Sequence, residues 1–275
     1  MGGSCGRSAP TWPPLPPPAG SPRGAGGPTR AAGPWPPAHR AARDEALRGL
    51  AFPMPAFRTG QRELAEAVYR AARAGRCLMA QAPTGIGKTL GTIFPMLKAS
   101  AGQGLDKVFF LTAKGTGHGL ALQALATING QAADKTPSFQ LRVLDVRARD
   151  KACEHPDKAC HGNSCPLASG FYDRLPQARE AATRAPQPWD ASSVRTVALE
   201  HQVCPYYLAQ ELVRWSDVVV ADYHYYYDTS AMLYALTKAQ QWRVGVLVDE
   251  AHNLCLLYTS PSPRDRTRSR MPSSA

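Results

Sequence analysis

The 275-residue chain has no run of about 18 apolar residues, the length a membrane-crossing helix requires. Met1 to Ser8 lacks the apolar core of a secretory signal, so the expectation is a cytoplasmic protein without membrane contact. No Cys-x-x-Cys pair occurs either, although there are seven cysteines. The tight knuckle that commonly holds structural zinc is therefore missing, and in a reducing compartment a disulfide framework is not expected. A strong charge bias is also lacking where it would matter. The formal charge is +11, but residues 1–50 hold six arginines against two acids, and residues 255–275 hold four against one. The stretch between them carries 22 basic and 18 acidic residues, too even a balance to argue for a nucleic-acid surface by itself.

What is present divides the chain. Residues 1–39 hold 11 of the 25 prolines, spaced by Gly and Ala, and cannot bury enough apolar surface to offset the entropy of ordering. A disordered segment is expected over 1–42. From Cys255 the chain runs through Tyr258, Pro261, Pro263 and Arg264 to Asp265, which resembles the in-frame translation of a transposase adapter used in sequencing libraries. The expectation is a non-native or disordered tail over 255–275 and a natural chain that continues past Leu254.

Between the ends, short Val/Leu-rich strands alternate with amphipathic helices. Gln61 to Ala74 places Leu64, Ala67, Val68 and Ala71 on one helical face. Strands are expected at Cys77–Ala80, Val108–Thr112, Leu141–Val146, Val218–Ala221 and Val244–Val248, with helices at Lys88–Ser100, Gly119–Thr127 and Leu208–Trp215. This order predicts an α/β fold: a mostly parallel sheet covered on both faces, with ligands at the C-terminal ends of the strands. One lobe is expected over 43–147 and 205–254, interrupted at 148–204.

Two motifs fall at such ends. Ala82, Pro83, Thr84, Gly85, Ile86, Gly87, Lys88 and Thr89 form a Gly-containing turn between an apolar run and a helix, where backbone N–H groups cradle phosphate oxygens. Lys88 then reaches the β/γ-phosphates, and Thr89 ligates Mg²⁺. Val248 is followed by Asp249, Glu250, Ala251 and His252, which delivers two carboxylates at a strand terminus. Asp249 is the candidate metal holder, and Glu250 is the candidate to orient or deprotonate the attacking water. An ordinary polar strand exit is the alternative for the acid pair, and a solvated turn residue is the alternative for His252. A small-molecule kinase would share the phosphate loop but gives no reason for the acidic box.

The interruption at 148–204 has little strand pattern and carries Cys153, Cys160, Cys165 and Cys204, separated by six, four and thirty-eight residues. Metal ligation is the first functional reading. Iron–sulfur clusters accept this looser spacing, while His155, His161 and His201 keep a mixed Cys/His zinc site open. Four unrelated cysteines is the bland alternative. The tyrosines Tyr206, Tyr207, Tyr223, Tyr225, Tyr226 and Tyr227 read mainly as core or core-edge residues, and Cys77 as packed and inert.

Arg58 to Gln61, the loop from Gln81 to Thr89, Leu111 to Lys114, the cysteine insertion, Ala221 to Tyr225 and the Asp-Glu-Ala-His box together resemble the iron–sulfur superfamily 2 DNA helicases of the DinG and XPD types. The resemblance spans roughly residues 50–254. It departs from the strict phosphate-loop pattern at Ala82, which stands where the first glycine would be.

The resemblance implies an ATP- and Mg²⁺-dependent helicase that translocates on single-stranded DNA, or DNA with a single-strand overhang, with 5′→3′ polarity. In it Arg58 and Gln61 sense adenine, and Cys153, Cys160, Cys165 and Cys204 hold a [4Fe–4S] cluster, with Zn²⁺ as the alternative. His252 links nucleotide state to the DNA-facing side. Thr112 and Lys114 begin a Gly-rich turn through Gly119 that contacts a strand phosphate without sequence preference. Such enzymes close ATP between two lobes, the second supplying an arginine. Nucleotide binding with little turnover is therefore expected of this chain. A non-catalytic module that binds nucleic acid or senses redox state through a zinc site is the competing class. No protein partner is indicated.

Overall fold

Four short runs rich in Val, Leu and Phe form the sheet: β1 (Lys107–Thr112), β2 (Val143–Asp145), β3 (Val218–Asp222) and β4 (Val244–Val248). All pairings are parallel, in the order β2-β3-β1-β4. The computed structural model describes residues 37–113, 115–133, 139–155, 160, 162, 164–228 and 231–254.

Because side chains alternate along a strand, each face of the sheet has its own core. Val108, Phe110, Val218 and Val220 face three helices: α1 (Pro37–Arg48), α3 (Lys88–Gln103) and α4 (Gly115–Ala133). These contribute Leu47, Ile93, Phe94, Leu97, Leu125 and Ile128. A further helix, α2 (Gln61–Ala74), packs on α3. Phe109, Leu111, Val219 and Ala221 face the opposite layer. Phe109 and Phe110 are 0% and 2% exposed, so each side chain contributes roughly 1.5–3 kcal/mol of hydrophobic burial to its own layer.

The second layer comes largely from the region that breaks the strand pattern. After the single turn α5 (Arg149–Ala152) come α6 (Phe171–Arg184), α7 (Ala191–Glu200) and α8 (Pro205–Leu212). Ala178, Ala182, Trp189, Val194, Ala198 and Leu208 all belong to the buried cluster that contains Phe109 and Leu111. Much of the interruption is thus part of the main core rather than a globule of its own. Trp189 also extends the sheet edge: its N–H donates to the Val143 carbonyl (2.8 Å), and its carbonyl accepts from Asp145 (3.0 Å). The single turn α9 (His224–Tyr227) and α10 (Met232–Ala239) close this face.

Several elements differ from the sequence expectation. Residues 37–42 are helical, within α1, because Arg43 anchors that helix: it donates to the carbonyls of Leu105 and Asp106 (2.8 and 2.9 Å) and lies 3.5 Å from Asp217. The helix expected from Gly119 begins at Gly115. Cys77–Ala80 is not a strand. Leu78 and Met79 are 41% and 92% exposed, and Cys77 is exposed rather than packed. An apolar run becomes a strand only with a hydrogen-bonded neighbour, and among the described residues β4 is the sheet edge on this side. Residues 1–36 and the tail from Cys255 lie outside the described residues.

Candidate nucleotide and metal sites

The phosphate loop is shaped by backbone that only glycine adopts without strain. Gly85 and Gly87 have φ of 83° and 82°, and Gly87 caps α3 without a side chain, leaving the helix's first N–H groups directed at the loop. Arg58 and Gln61 hold this turn from behind. Arg58 Nη1 donates to the Gly85 carbonyl (2.8 Å) and Gln61 Nε2 to the Gly87 carbonyl (3.0 Å), while Gln61 Oε1 accepts from the Arg58 N–H (3.0 Å). A Cβ at position 87 would stand 2.4 Å from Gln61 Nε2, so the pair fits only against glycine. Both residues, expected as a nucleotide-sensing element, touch the loop that would carry the phosphates.

Lys88 Nζ donates to the Ala82 carbonyl (3.4 Å) and lies 3.8 Å from Glu250 Oε1. The lysine and the acidic box are 162 positions apart in sequence and meet at one corner of the lobe. Asp249 is placed by its N–H, which donates to the Leu111 carbonyl (2.9 Å) and so extends the β1–β4 ladder by one residue. Burial and the neighbouring Glu250 carboxylate push the Asp249 pKa up, and Lys88 opposes them. Two crowded carboxylates are oxygen donors of the kind a hard cation such as Mg²⁺ takes, and Thr89, expected as the second holder, is the second residue of α3. Glu250 is a non-glycine residue at φ 51°, and His252 Nδ1 lies 3.5 Å from its Oε2. The His252 side chain is 72% exposed.

Tyr223 holds this conformation, a role the sequence reading missed. It is 2% exposed, and its hydroxyl donates to the Asp249 carbonyl and to the Glu250 carbonyl (3.0 Å). Burial and those two acids push its pKa up to about 12, so it remains a donor at neutral pH. A buried tyrosine does join the core, as composition suggested, but its polar tip braces the acidic box.

A second polar group joins the strand ends. His118, 1% exposed, places Nδ1 2.5 Å from Asp145 and Nε2 3.1 Å from Asp222, and Asp145 is also held by Arg147 (2.6 Å). Burial works against the charged imidazole, but both aspartates favour it, and His118 is raised above its ordinary value of 6.5. Thr112, expected at a nucleic-acid contact, is 3% exposed and lies under Gly117, where a Cβ would come within 2.3 Å of its hydroxyl. Its part is to shape the first turn of α4 rather than to meet a ligand directly. Lys114 lies outside the described residues.

Cys204 caps α8 and receives backbone N–H groups from Tyr206 and Tyr207, which favour thiolate, although burial is the larger effect and raises its pKa. It feels the charges of Cys153 and Cys165, and Tyr207 feels those of Cys160 and Cys204. The four cysteines therefore gather around one helix end. They do not converge on a point: among the described residues no three His, Cys, Asp or Glu side chains are close enough to hold a single metal ion.

A glycine-shaped loop, its lysine and a strand-end acid pair on a parallel sheet define a P-loop nucleoside triphosphatase lobe. Residues 139–262 match the DEAD_2 family. The chain is 27% identical over 242 residues to a regulator of telomere elongation helicase 1 homolog of Drosophila ananassae, covering 70% of this chain and 24% of that protein. It is 29% identical over 126 residues to the homolog of Anopheles gambiae, covering 42% of this chain and 12% of that one. A solved XPD helicase shares the fold at a TM-score of 0.50 and 18% identity, over 74% of this chain and 34% of the other. The chain is thus similar to these helicases over the matched residues, and it spans a quarter or less of the length of these curated relatives. No described helix is long and apolar enough to cross a membrane.

Proposed function

We propose that this lobe binds ATP with Mg²⁺ and serves, within a longer protein, a DNA helicase that translocates 5′→3′ on single-stranded DNA. The observation that carries the reading is the 3.8 Å approach of Lys88 to Glu250, beside Asp249, at the C-terminal edge of the sheet. Lys88 neutralises β/γ-phosphate charge, Thr89 and Asp249 hold the metal, and Glu250 orients the water for in-line attack. Arg58 and Gln61 join the base-sensing side to the loop, and His252 reports the nucleotide state through Glu250. Lys114 and the N–H groups at the start of α4 take a strand phosphate.

Cys153, Cys160, Cys165 and Cys204 are assigned to an iron–sulfur cluster. Support comes from their electrostatic proximity near the start of α8 and from a sequence spacing looser than the Cys-x-x-Cys knuckle of structural zinc. When bound, it supplies a rigid cross-link between α5, the loop before α6, and α8. Brown, iron-containing protein from anaerobic purification is the expected result, whereas colourless protein with stoichiometric zinc would favour the non-catalytic binding module.

Residues 1–275 alone are expected to bind ATP–Mg²⁺ with little turnover, because the transition-state arginine of such enzymes comes from a second lobe and is worth roughly 10³- to 10⁵-fold in rate. The deciding assay uses a chain carrying both lobes. Single-stranded DNA should stimulate its ATP hydrolysis, and Lys88→Ala should abolish it. Hydrolysis indifferent to DNA and to Lys88 would reject the helicase reading.

A further inference from the structure

Asp222 ends β3 and Tyr223 follows it, yet their side chains are anchored in opposite layers of the lobe. Asp222 Oδ1 lies 3.1 Å from Nε2 of His118, near the start of α4. The other ring nitrogen of His118 is 2.5 Å from Asp145, so one buried side chain pins the start of α4 to two strand ends. Tyr223 belongs instead to the core that holds Phe109 and Leu111, and its backbone N–H donates to the Thr112 carbonyl at the end of β1 (3.3 Å). Its hydroxyl reaches the carbonyls of Asp249 and Glu250. Glu250 is held at φ 51°, and its carbonyl also accepts from the N–H and Nδ2 of Asn253 (2.9 and 3.2 Å). The Asn253 bonds lie within the turn and move with it, whereas the tyrosine hydroxyl ties Glu250 to the sheet.

We propose that Asp222 and Tyr223 are positioning residues for ATP hydrolysis: Tyr223 fixes the backbone from which Glu250 projects toward Lys88, and Asp222 fixes Tyr223 to the start of α4. The proposal rests on the function proposed above, in which Glu250 orients the water and the start of α4 takes a strand phosphate. A non-glycine residue in the left-handed region persists only where its surroundings over-determine it. Deleting the tyrosine hydroxyl takes a donor from two carbonyls at the point where Glu250 is held, so the carboxylate loses its fixed place. The phosphate loop, braced separately by Arg58 and Gln61, keeps its shape. A displacement of α4 by a bound strand reaches the acid pair through hydrogen bonds on either side of a single peptide link, a contiguous path of buried groups. Asp222 touches neither the acid pair nor the phosphate loop, and its effect on hydrolysis therefore passes through Tyr223.

The test is steady-state ATP hydrolysis by a chain carrying both lobes, with and without saturating oligo(dT). Tyr223→Phe keeps the ring in the core and removes only the hydroxyl. It is expected to lower the DNA-stimulated kcat at least about tenfold while KM for ATP stays within about twofold, because position rather than nucleotide binding is lost. Asp222→Ala is expected to lower the same kcat about fivefold, and in the double variant the two losses should not multiply: about tenfold is expected in place of about fiftyfold. A parent-like kcat for Tyr223→Phe, or losses that multiply, would overturn the proposal. So would a KM for ATP that rises in step with the fall in kcat, since that is the mark of a generally loosened lobe. Hydrolysis by the parent chain that ignores both DNA and Lys88→Ala would reject the helicase reading and this inference with it, whereas a DNA-stimulated parent with DNA-stimulated variants would reject this inference alone.

Discussion

Gly87 has no room for a side chain and no strain-free alternative. A Cβ there would meet Gln61 Nε2 at 2.4 Å, and φ is 82°. Gly87→Ala is expected to cost about 1–3 kcal/mol of stability and to weaken ATP binding, measured by thermal unfolding and nucleotide titration. Adding Gln61→Ala relieves the contact but not the backbone strain, so only part of the loss should return; full recovery would show that φ is not limiting. His118 offers a pH test at the same scale. Its folded pKa lies above 6.5, so its contribution is fully present below about 6.5 and is lost as pH rises through the raised value. Replacing it with Asn should remove that slope from denaturant-derived unfolding free energies. An unchanged slope would mean that the Asp145 and Asp222 contacts are not formed in solution.

At the scale of elements, the layer formed by α6 and α7 is the surprise, because cysteines and prolines make the region at 148–204 read as an insertion. Trp189, between α6 and α7, is 1% exposed and pairs through its backbone with β2. Trp189→Ala should cost about 3–5 kcal/mol, and the whole lobe should still unfold in one transition. A separate early transition for the cysteine-bearing region would show that it is an independent unit. Gly245 shows how closely the other layer approaches: a Cβ there would stand 2.7 Å from Met96 Sδ, so α3 lies directly against β4. That contact brings Lys88, at the start of α3, to the carboxylates that follow β4.

For the molecule as a whole, ligand linkage gives a test that needs no turnover. ATP–Mg²⁺ at about 100 times its dissociation constant should raise the unfolding free energy by roughly 2.7 kcal/mol. EDTA should reduce this gain and Lys88→Ala should abolish it, both read from denaturant midpoints. A gain independent of metal would remove Asp249 and Thr89 from the site.

The sequence by itself determined the chemistry: a phosphate loop, a strand-end acid pair, four spaced cysteines and an alternation of helix and strand that dictates a parallel sheet. These are legible because turn geometry, strand periodicity and ligand type are local properties. Tertiary structure alone decided which distant groups meet. Tyr223 under Asp249 and Glu250, His118 between two strand ends, and Trp189 in the main core depend on pairings between residues far apart in sequence. Cys77–Ala80 makes the same point in reverse. Its apolar run satisfies the local rule for a strand, yet Leu78 and Met79 stand exposed, because a strand is completed only by the neighbour whose backbone it pairs with.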